Sequence, residues 1–238
     1  MKLDILAVGV HPDDVELGCG GTLINQILKG NKVGILDLTQ GELGTRGTAE
    51  TREAEAAAAA KILGISVREN LGFKDGFFQH DNAHVLEVIK VIRKYQPEIV
   101  FMNAPFDRHP DHGRACALVR DAVFLSGLSK IETGLDGKAQ QSFRPKVAYS
   151  YIQALNVEPD FVVDISNSFA QKMEAVAAYK TQFYNPEQDG TQTFISSPEF
   201  LEFVKARAIH FGTPSGTTYA EGFKAYRLPL VKDIFNIE

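Results

Sequence analysis

The chain has 238 residues, 44% hydrophobic and 23% charged. That is the composition of an ordinary globular protein, long enough for one large domain and too short for two full ones. With 25 Lys and Arg against 30 Asp and Glu the formal net charge is -5, and the absence of a basic stripe argues against nucleic acid or an anionic membrane as partner.

Apolar runs rich in Val, Ile and Leu alternate with helical patterns, which predicts parallel strands joined by helical crossovers. Residues 3–10 (LDILAVGV) read as a buried first strand, residues 20–30 as a helix stopped by Gly30, and residues 33–38 as a second strand. A long polar loop, TQGELGTRGT, follows, and such loops in α/β domains often carry function. The pattern then predicts a helix over 49–63 between Thr48 and Gly64, a strand over 67–71, a helix over 83–95, a strand over 98–104 and a helix over 113–125. Strands over 147–153 and 161–165, helices over 169–183 and 198–210, and a Gly-, Tyr- and Phe-containing tail complete the chain. The two cysteines, Cys19 and Cys116, have no paired spacing, which speaks against a disulfide framework or a cysteine-based zinc site. No apolar signal core and no run near the ~20 residues of a membrane span is read, so a cytoplasmic location is expected.

In an open parallel sheet, ligands bind beyond the carboxyl ends of the strands. After the first strand stands His11-Pro12-Asp13-Asp14-Val15-Glu16 in place of a glycine-rich dinucleotide fingerprint, and after the fourth stands Asp107-Arg108-His109-Pro110-Asp111-His112. One His-Pro-Asp segment alone reads as helix capping. Two at equivalent strand ends, opening at one edge of the sheet, read better as a metal site with open positions. His11 and Asp14 are three apart and can converge on one ion, with either His109 or His112 as a third ligand. Asp13, left unligated, is placed to take a proton from water, and Glu16 either orients a ligand or favours the first turn of a helix.

At these residues the chain resembles the PIG-L/LmbE-like family of metal-dependent N-acetylglucosamine deacetylases. GELGTRGT, AYKTQF (178–183) and YAEGF (219–223) look like the branch that deacetylates N-acetylglucosaminyl malate in bacillithiol synthesis. The resemblance covers the whole chain, 1–238, and implies a single α/β domain with a Rossmann-like, mostly parallel sheet and flanking helices. It implies that His11, Asp14 and His112 bind zinc, with iron, manganese and cobalt as the other candidate metals. It implies Asp13 as general base and His109 as general acid or oxyanion stabiliser, which the chemistry of amide hydrolysis would pair with a protonated His109. Arg144 would then approach the reacting carbonyl or an acidic group of the substrate. Arg52 and Asp75 match positions that hold sugar hydroxyls, and Arg46 and Arg108 are candidates for the malate carboxylates. The partner is a small-molecule sugar conjugate, and a homo-oligomer is expected.

The remaining candidates have structural readings. His80 and His84 suit a solvated helix start, and His210 a helix C-terminus. Phe73, Phe77 and Phe78 suit core packing at least as well as a sugar platform. A phosphoesterase would gather ligands for two metals rather than this one compact set. A metal-stabilised sugar-binding module would have no use for Asp13.

Overall fold

In chain order the elements are β1 (Ile5–Gly9), α1 (Asp14–Leu28), β2 (Val33–Thr39), α2 (Ala49–Leu63), β3 (Val67–Phe73), α3 (Asn82–Tyr95), β4 (Ile99–Met102), α4 (Pro110–Leu125), a short hairpin of β5 (Gly134–Leu135) and β6 (Lys138–Ala139), β7 (Val147–Tyr151), β8 (Phe161–Asp164), α5 (Phe169–Ala177), α6 (Pro198–Gly212) and β9 (Ala220–Ala225). This computed structural model describes residues 1–187 and 190–236. Seven strands form one sheet in the order β3-β2-β1-β4-β7-β9-β8. The first five in that order pair in parallel, and β9 runs antiparallel to both its neighbours. The sheet is thus mostly parallel, in one α/β domain.

Each residue of β1 is buried, because its alternating side chains enter two cores. Leu6 and Val8 pack with Val88 and Ile89 of α3 and Leu118 of α4. Ile5 and Ala7 pack on the other face with Val15 and Leu23 of α1, Ala59 of α2 and Val176 of α5. Each fully buried aliphatic side chain contributes about 1.5 to 3 kcal/mol. α2 has the boundaries its sequence predicts: the Thr48 side chain accepts from the Thr51 amide, and Gly64 ends the helix in the left-handed region.

Three elements depart from the sequence expectation. α1 starts at Asp14, inside the first motif, rather than near residue 20, so Gly18, Gly20 and Gly21 lie within the helix. Gly18 and Gly21 serve close packing: a Cβ on Gly18 would stand 2.1 Å from the Tyr151 ring, and one on Gly21 2.8 Å from Ile165. The carbonyl of Leu17 accepts from Lys172 Nζ and Arg207 Nη2, while the amides of Gly21 and Thr22 donate to Glu221. Buried Lys172 of α5 and Glu221 of β9, with half-buried Arg207 of α6, therefore clamp α1 in its middle. The second departure is the C-terminal segment, expected as a tail, which forms β9 and fills the gap between β7 and β8. Its sequence AEGFKA has no β-branched residue and a single aromatic, Phe223, so local propensity carries little strand signal. α5 is also shorter than expected, ending at Ala177.

Gly18→Ala tests the close packing. Alanine gains about 1 kcal/mol of helix propensity, but the contact at 2.1 Å falls on a fully buried Tyr151 whose hydroxyl donates to the Val8 carbonyl. Overpacking of this kind costs about 1 to 3 kcal/mol or more. The variant is expected to unfold at lower denaturant than the parent; equal or higher stability would show that Tyr151 moves freely.

Candidate active site

β1 and β4 are neighbours at the point where the strand order reverses, and the crevice beyond their carboxyl ends is where such sheets take ligands. A cavity of about 370 Å³ opens there, floored by the two His-containing motifs and walled by the 43–46 loop and residues 193–195. α1 and α4 begin at the motifs, Asp14 and Pro110.

Asp14 is the hub. Its Oδ2 accepts from the Val10 and His11 amides and from Asn103 Nδ2, each at 3.0 Å. Its Oδ1 accepts from Gln153 Nε2 at 2.9 Å and lies 3.2 Å from His112 Nε2. His11 Nδ1 is 3.7 Å from Oδ2. Burial alone would raise this carboxyl, but the charges of His112 and His11 and their hydrogen bonds hold it well below the usual carboxylate range.

Both of these histidines present one ring nitrogen toward Asp14 and tie the other to a carboxylate. His11 Nε2 is 2.9 Å from Asp75 Oδ1, and His112 Nδ1 is 2.8 Å from Asp107 Oδ2. Carboxylates fix the tautomer and raise the basicity of metal-binding imidazoles in this way. Against the effect of burial, Asp14 and Asp107 push His112 up to about 10, so a positive charge is favoured between the two carboxylates. Nitrogens of His11, His109 and His112 also come within 4.8 Å of one another. Two imidazoles and a carboxylate, each held by a further carboxylate or amide, could hold a divalent transition metal. The fit rests on that donor chemistry.

Asp13 is 5% exposed and sits at φ 131°, ψ -24°, a conformation that side-chain-bearing residues rarely adopt and that costs about 1 to 3 kcal/mol. Its carboxylate meets Arg52, whose Nη2 is 3.1 Å from Asp13 Oδ2. Burial, opposed by Arg52, raises the Asp13 carboxyl to about 7. A carboxyl at that value exchanges protons readily near neutrality.

His109 caps α4: its Nδ1 accepts from the Asp111 amide at 3.3 Å, so the neutral ring carries its proton on Nε2. Burial, then the charges of His11 and His112, push its pKa below the ordinary histidine value. The ring is therefore a neutral donor through Nε2–H at neutral pH, where the sequence reading expected an imidazolium.

The other expected site residues fall into three groups. Arg46 and Arg108 line the cavity, and among the described residues neither is ion-paired with a carboxylate; Arg108 rests over the Phe194 ring, 4.7 Å from its centroid. Arg52 and Asp75, expected to hold sugar hydroxyls, also line the cavity, and both have partners within the protein. Arg52 donates through its two terminal nitrogens to the Pro12 and Gly41 carbonyls and Asp13, while its buried Nε has no partner among the described residues. Gly41 sits at φ 66°, a conformation that favours glycine, and a Cβ there would stand 1.9 Å from the guanidinium. Asp75 meets His11 through Oδ1 and accepts from the Leu43 amide through Oδ2, which leaves each oxygen further accepting capacity. Arg144 does not reach the site. It precedes β7, and residues before a parallel strand face the opposite edge of the sheet from residues after it. There its Nε donates to the Phe124 carbonyl at 3.2 Å and its guanidinium lies 4.3 Å from the Phe124 ring centroid.

The sequence reading missed Asn103 and Gln153 on Asp14, Asp107 as the partner of His112, and Gln182, Phe194 and Arg207 in the cavity wall. Gln153 follows β7, so the rule that singled out the ends of β1 and β4 would have found it. Arg207, inside an amphipathic helix, has no local signal. Phe78 lies in the core, as its structural reading held, whereas Phe77 is 62% exposed.

The family model described as GlcNAc-PI de-N-acetylase (PIG-L) matches residues 6–123, which contain both motifs. A diacetylchitobiose deacetylase of Thermococcus kodakarensis is 32% identical over 236 residues, covering 92% of this chain and 82% of that protein. The chain belongs to the PIG-L family. It is an N-acetylglucosamine-type deacetylase. The crystal structure of the conserved protein TT1542 from Thermus thermophilus superposes on this PIG-L enzyme with a TM-score of 0.85 at 40% identity, over 96% of this chain and 97% of that one. A Bacillus anthracis protein described as "Probable N-acetyl-alpha-D-glucosaminyl L-malate deacetylase 2" is 25% identical over 193 residues, 75% of this chain and 81% of that protein. Among the described residues no helix of the enzyme is long and apolar enough to cross a membrane.

Proposed function

We propose that this PIG-L enzyme hydrolyses the acetamide of an N-acetylglucosaminide with an acidic aglycone, N-acetylglucosaminyl malate first among them, and that it does so with a divalent metal, zinc first among zinc, iron, manganese and cobalt. The observation that carries the reading is the juxtaposition of two adjacent buried carboxylates with different partners: Asp14, set between His11 and His112, and Asp13, held by Arg52.

His11, Asp14 and His112 would hold the metal, which supplies Lewis-acid polarisation of the substrate carbonyl and a more acidic water. Asp13 takes a proton from the attacking water and, once protonated, returns it to the departing amine. The Nε2–H of His109 faces the developing oxyanion and donates to it. Arg52 holds the Asp13 carboxylate by one oxygen and leaves the other for proton transfer.

Support for an acidic aglycone comes from Arg46 and Arg108 at the cavity wall, whose guanidinium groups suit bidentate capture of carboxylates. The kinship with the Bacillus anthracis protein points the same way, and that with the Thermococcus kodakarensis enzyme points to a neutral disaccharide. Kinetics on N-acetylglucosaminyl malate, free N-acetylglucosamine and N,N'-diacetylchitobiose separate them. The malate conjugate is expected to have kcat/KM at least about tenfold above the other two, the effect of one charge-assisted contact of about 1.5 to 3 kcal/mol. Arg108→Ala should narrow that gap. Equal efficiencies would leave the deacetylase standing and remove the acidic aglycone.

A further inference from the structure

Asp14 has more hydrogen-bond donors than a carboxylate needs, and they divide unevenly. Oδ2 takes three, from Val10, His11 and Asn103, which saturates it. Oδ1 takes one, from Gln153, and keeps capacity on the side facing His112. Asn103 and Gln153 are also bonded to each other, Asn103 Nδ2 to Gln153 Oε1 at 2.9 Å, and Asn103 Oδ1 accepts from the Val10 amide. All of these side chains are buried. The rotamers of both amides are therefore determined: reversing either would set donor against donor.

The residues after Gln153 serve the other side of the site. The amides of Ala154 and Leu155 approach the Asp107 carboxylate at 3.5 and 3.2 Å, and Asp107 is the group that orients His112. One short segment after β7 thus touches two of the three groups assigned to the metal, Asp14 through a side chain and His112 through Asp107. The segment has its own anchor in Arg207 of α6, whose Nη1 donates to the Gln153 carbonyl and whose Nη2 donates to the Leu17 carbonyl of α1 at 3.0 Å. Arg207 therefore ties the segment to the same helix that begins at Asp14.

We propose that Gln153 is a positioning residue for the metal site, turning Asp14 so that Oδ1 alone is offered to the cation, and that Arg207 holds Gln153 in place. The proposal rests on the metal-dependent reading above and concerns residues that neither motif contains. A group that orients a ligand in this way commonly changes metal affinity by about 10- to 100-fold when removed.

The test is metal affinity, measured by chelator competition with Zn2+, together with the visible absorption of the Co2+-loaded protein. Gln153→Met keeps the volume and removes the donor. It is expected to weaken Zn2+ binding about 10- to 100-fold and to alter the Co2+ spectrum, with KM for the sugar conjugate little changed. Arg207→Lys, which keeps the charge but not the forked contact to two carbonyls, should show the same change at smaller amplitude. Thermal unfolding of the metal-free variants checks the fold, and Gln153→Asn, with its amide withdrawn by one methylene, is read in its place if Gln153→Met is unfolded. Unaltered Zn2+ affinity and Co2+ spectrum in folded variants would overturn the proposal while leaving the metal site intact. A parent protein that binds neither Zn2+ nor Co2+ would instead overturn the metal reading, and this proposal with it.

Discussion

Asp13→Asn is expected to retain the bound metal and lose roughly two to four orders of magnitude in kcat, the usual contribution of a positioned general base. The amide preserves size and can still meet Arg52, but it accepts no proton from water. In the parent enzyme the base must be ionised, so kcat/KM should fall as pH drops through about 7, the value to which burial raises this carboxyl in the metal-free protein; a bound cation would move that limb to lower pH. The same shift predicts a stability effect of opposite sense. A carboxyl whose folded pKa lies above its unfolded value destabilises the fold progressively as pH rises from about 4 to about 7, so metal-free Asp13→Asn should have a higher Tm than the parent at pH 8. A variant that is inactive and more stable marks a functional carboxylate held in an unfavourable place. Metal loss equal to that of Asp14→Asn would refute the division of labour between the two residues.

His112→Ala is expected to abolish stoichiometric metal binding, read by elemental analysis, because it removes one of three donors and strands Asp107 and Asp14 without their shared partner. In the metal-free parent, His112 is pushed up to about 10 by those carboxylates, so at neutral pH a metal must displace its proton. About one proton should therefore be released per ion bound, and affinity should rise about tenfold per pH unit between 7 and 9. Calorimetry in buffers of different ionisation enthalpy measures the release. The sign for folding follows from the raised pKa. The stability contributed by His112 is fully present below its unfolded value near 6.5 and is lost as pH rises through about 10, so the metal-free parent should lose Tm over that window and His112→Ala should not. Full metal occupancy in His112→Ala would make His109 the third ligand.

Much of the fold was legible because its signals are local. The period of apolar residues marked the five parallel strands, and Thr48 and Gly64 marked the ends of α2 within a span of 17 residues. The floor of the site was legible for the same reason: each His-Pro-Asp segment is contiguous, and the rule of strand ends places both at one edge of a parallel sheet. What those side chains touch was decided by the tertiary structure. Arg52 and Asp75 line the cavity, and the fold also sets them against Asp13 and His11, 39 and 64 residues away. Arg144 sits on the wrong side of its strand to reach the chemistry. α1 runs from Asp14 through Gly18 and Gly21, where Tyr151 and Ile165 leave no room for a Cβ, which no window around residues 14–21 reveals. β9 is a strand because β7 and β8 flank it, not because its residues prefer to be extended. Gln153 and Arg207 meet Asp14 and Leu17 across 139 and 190 residues. Periodicity and capping act over a few residues and can be read along the chain, whereas a buried hydrogen bond depends on which distant group the packed sheet and helices bring within 3 Å of it.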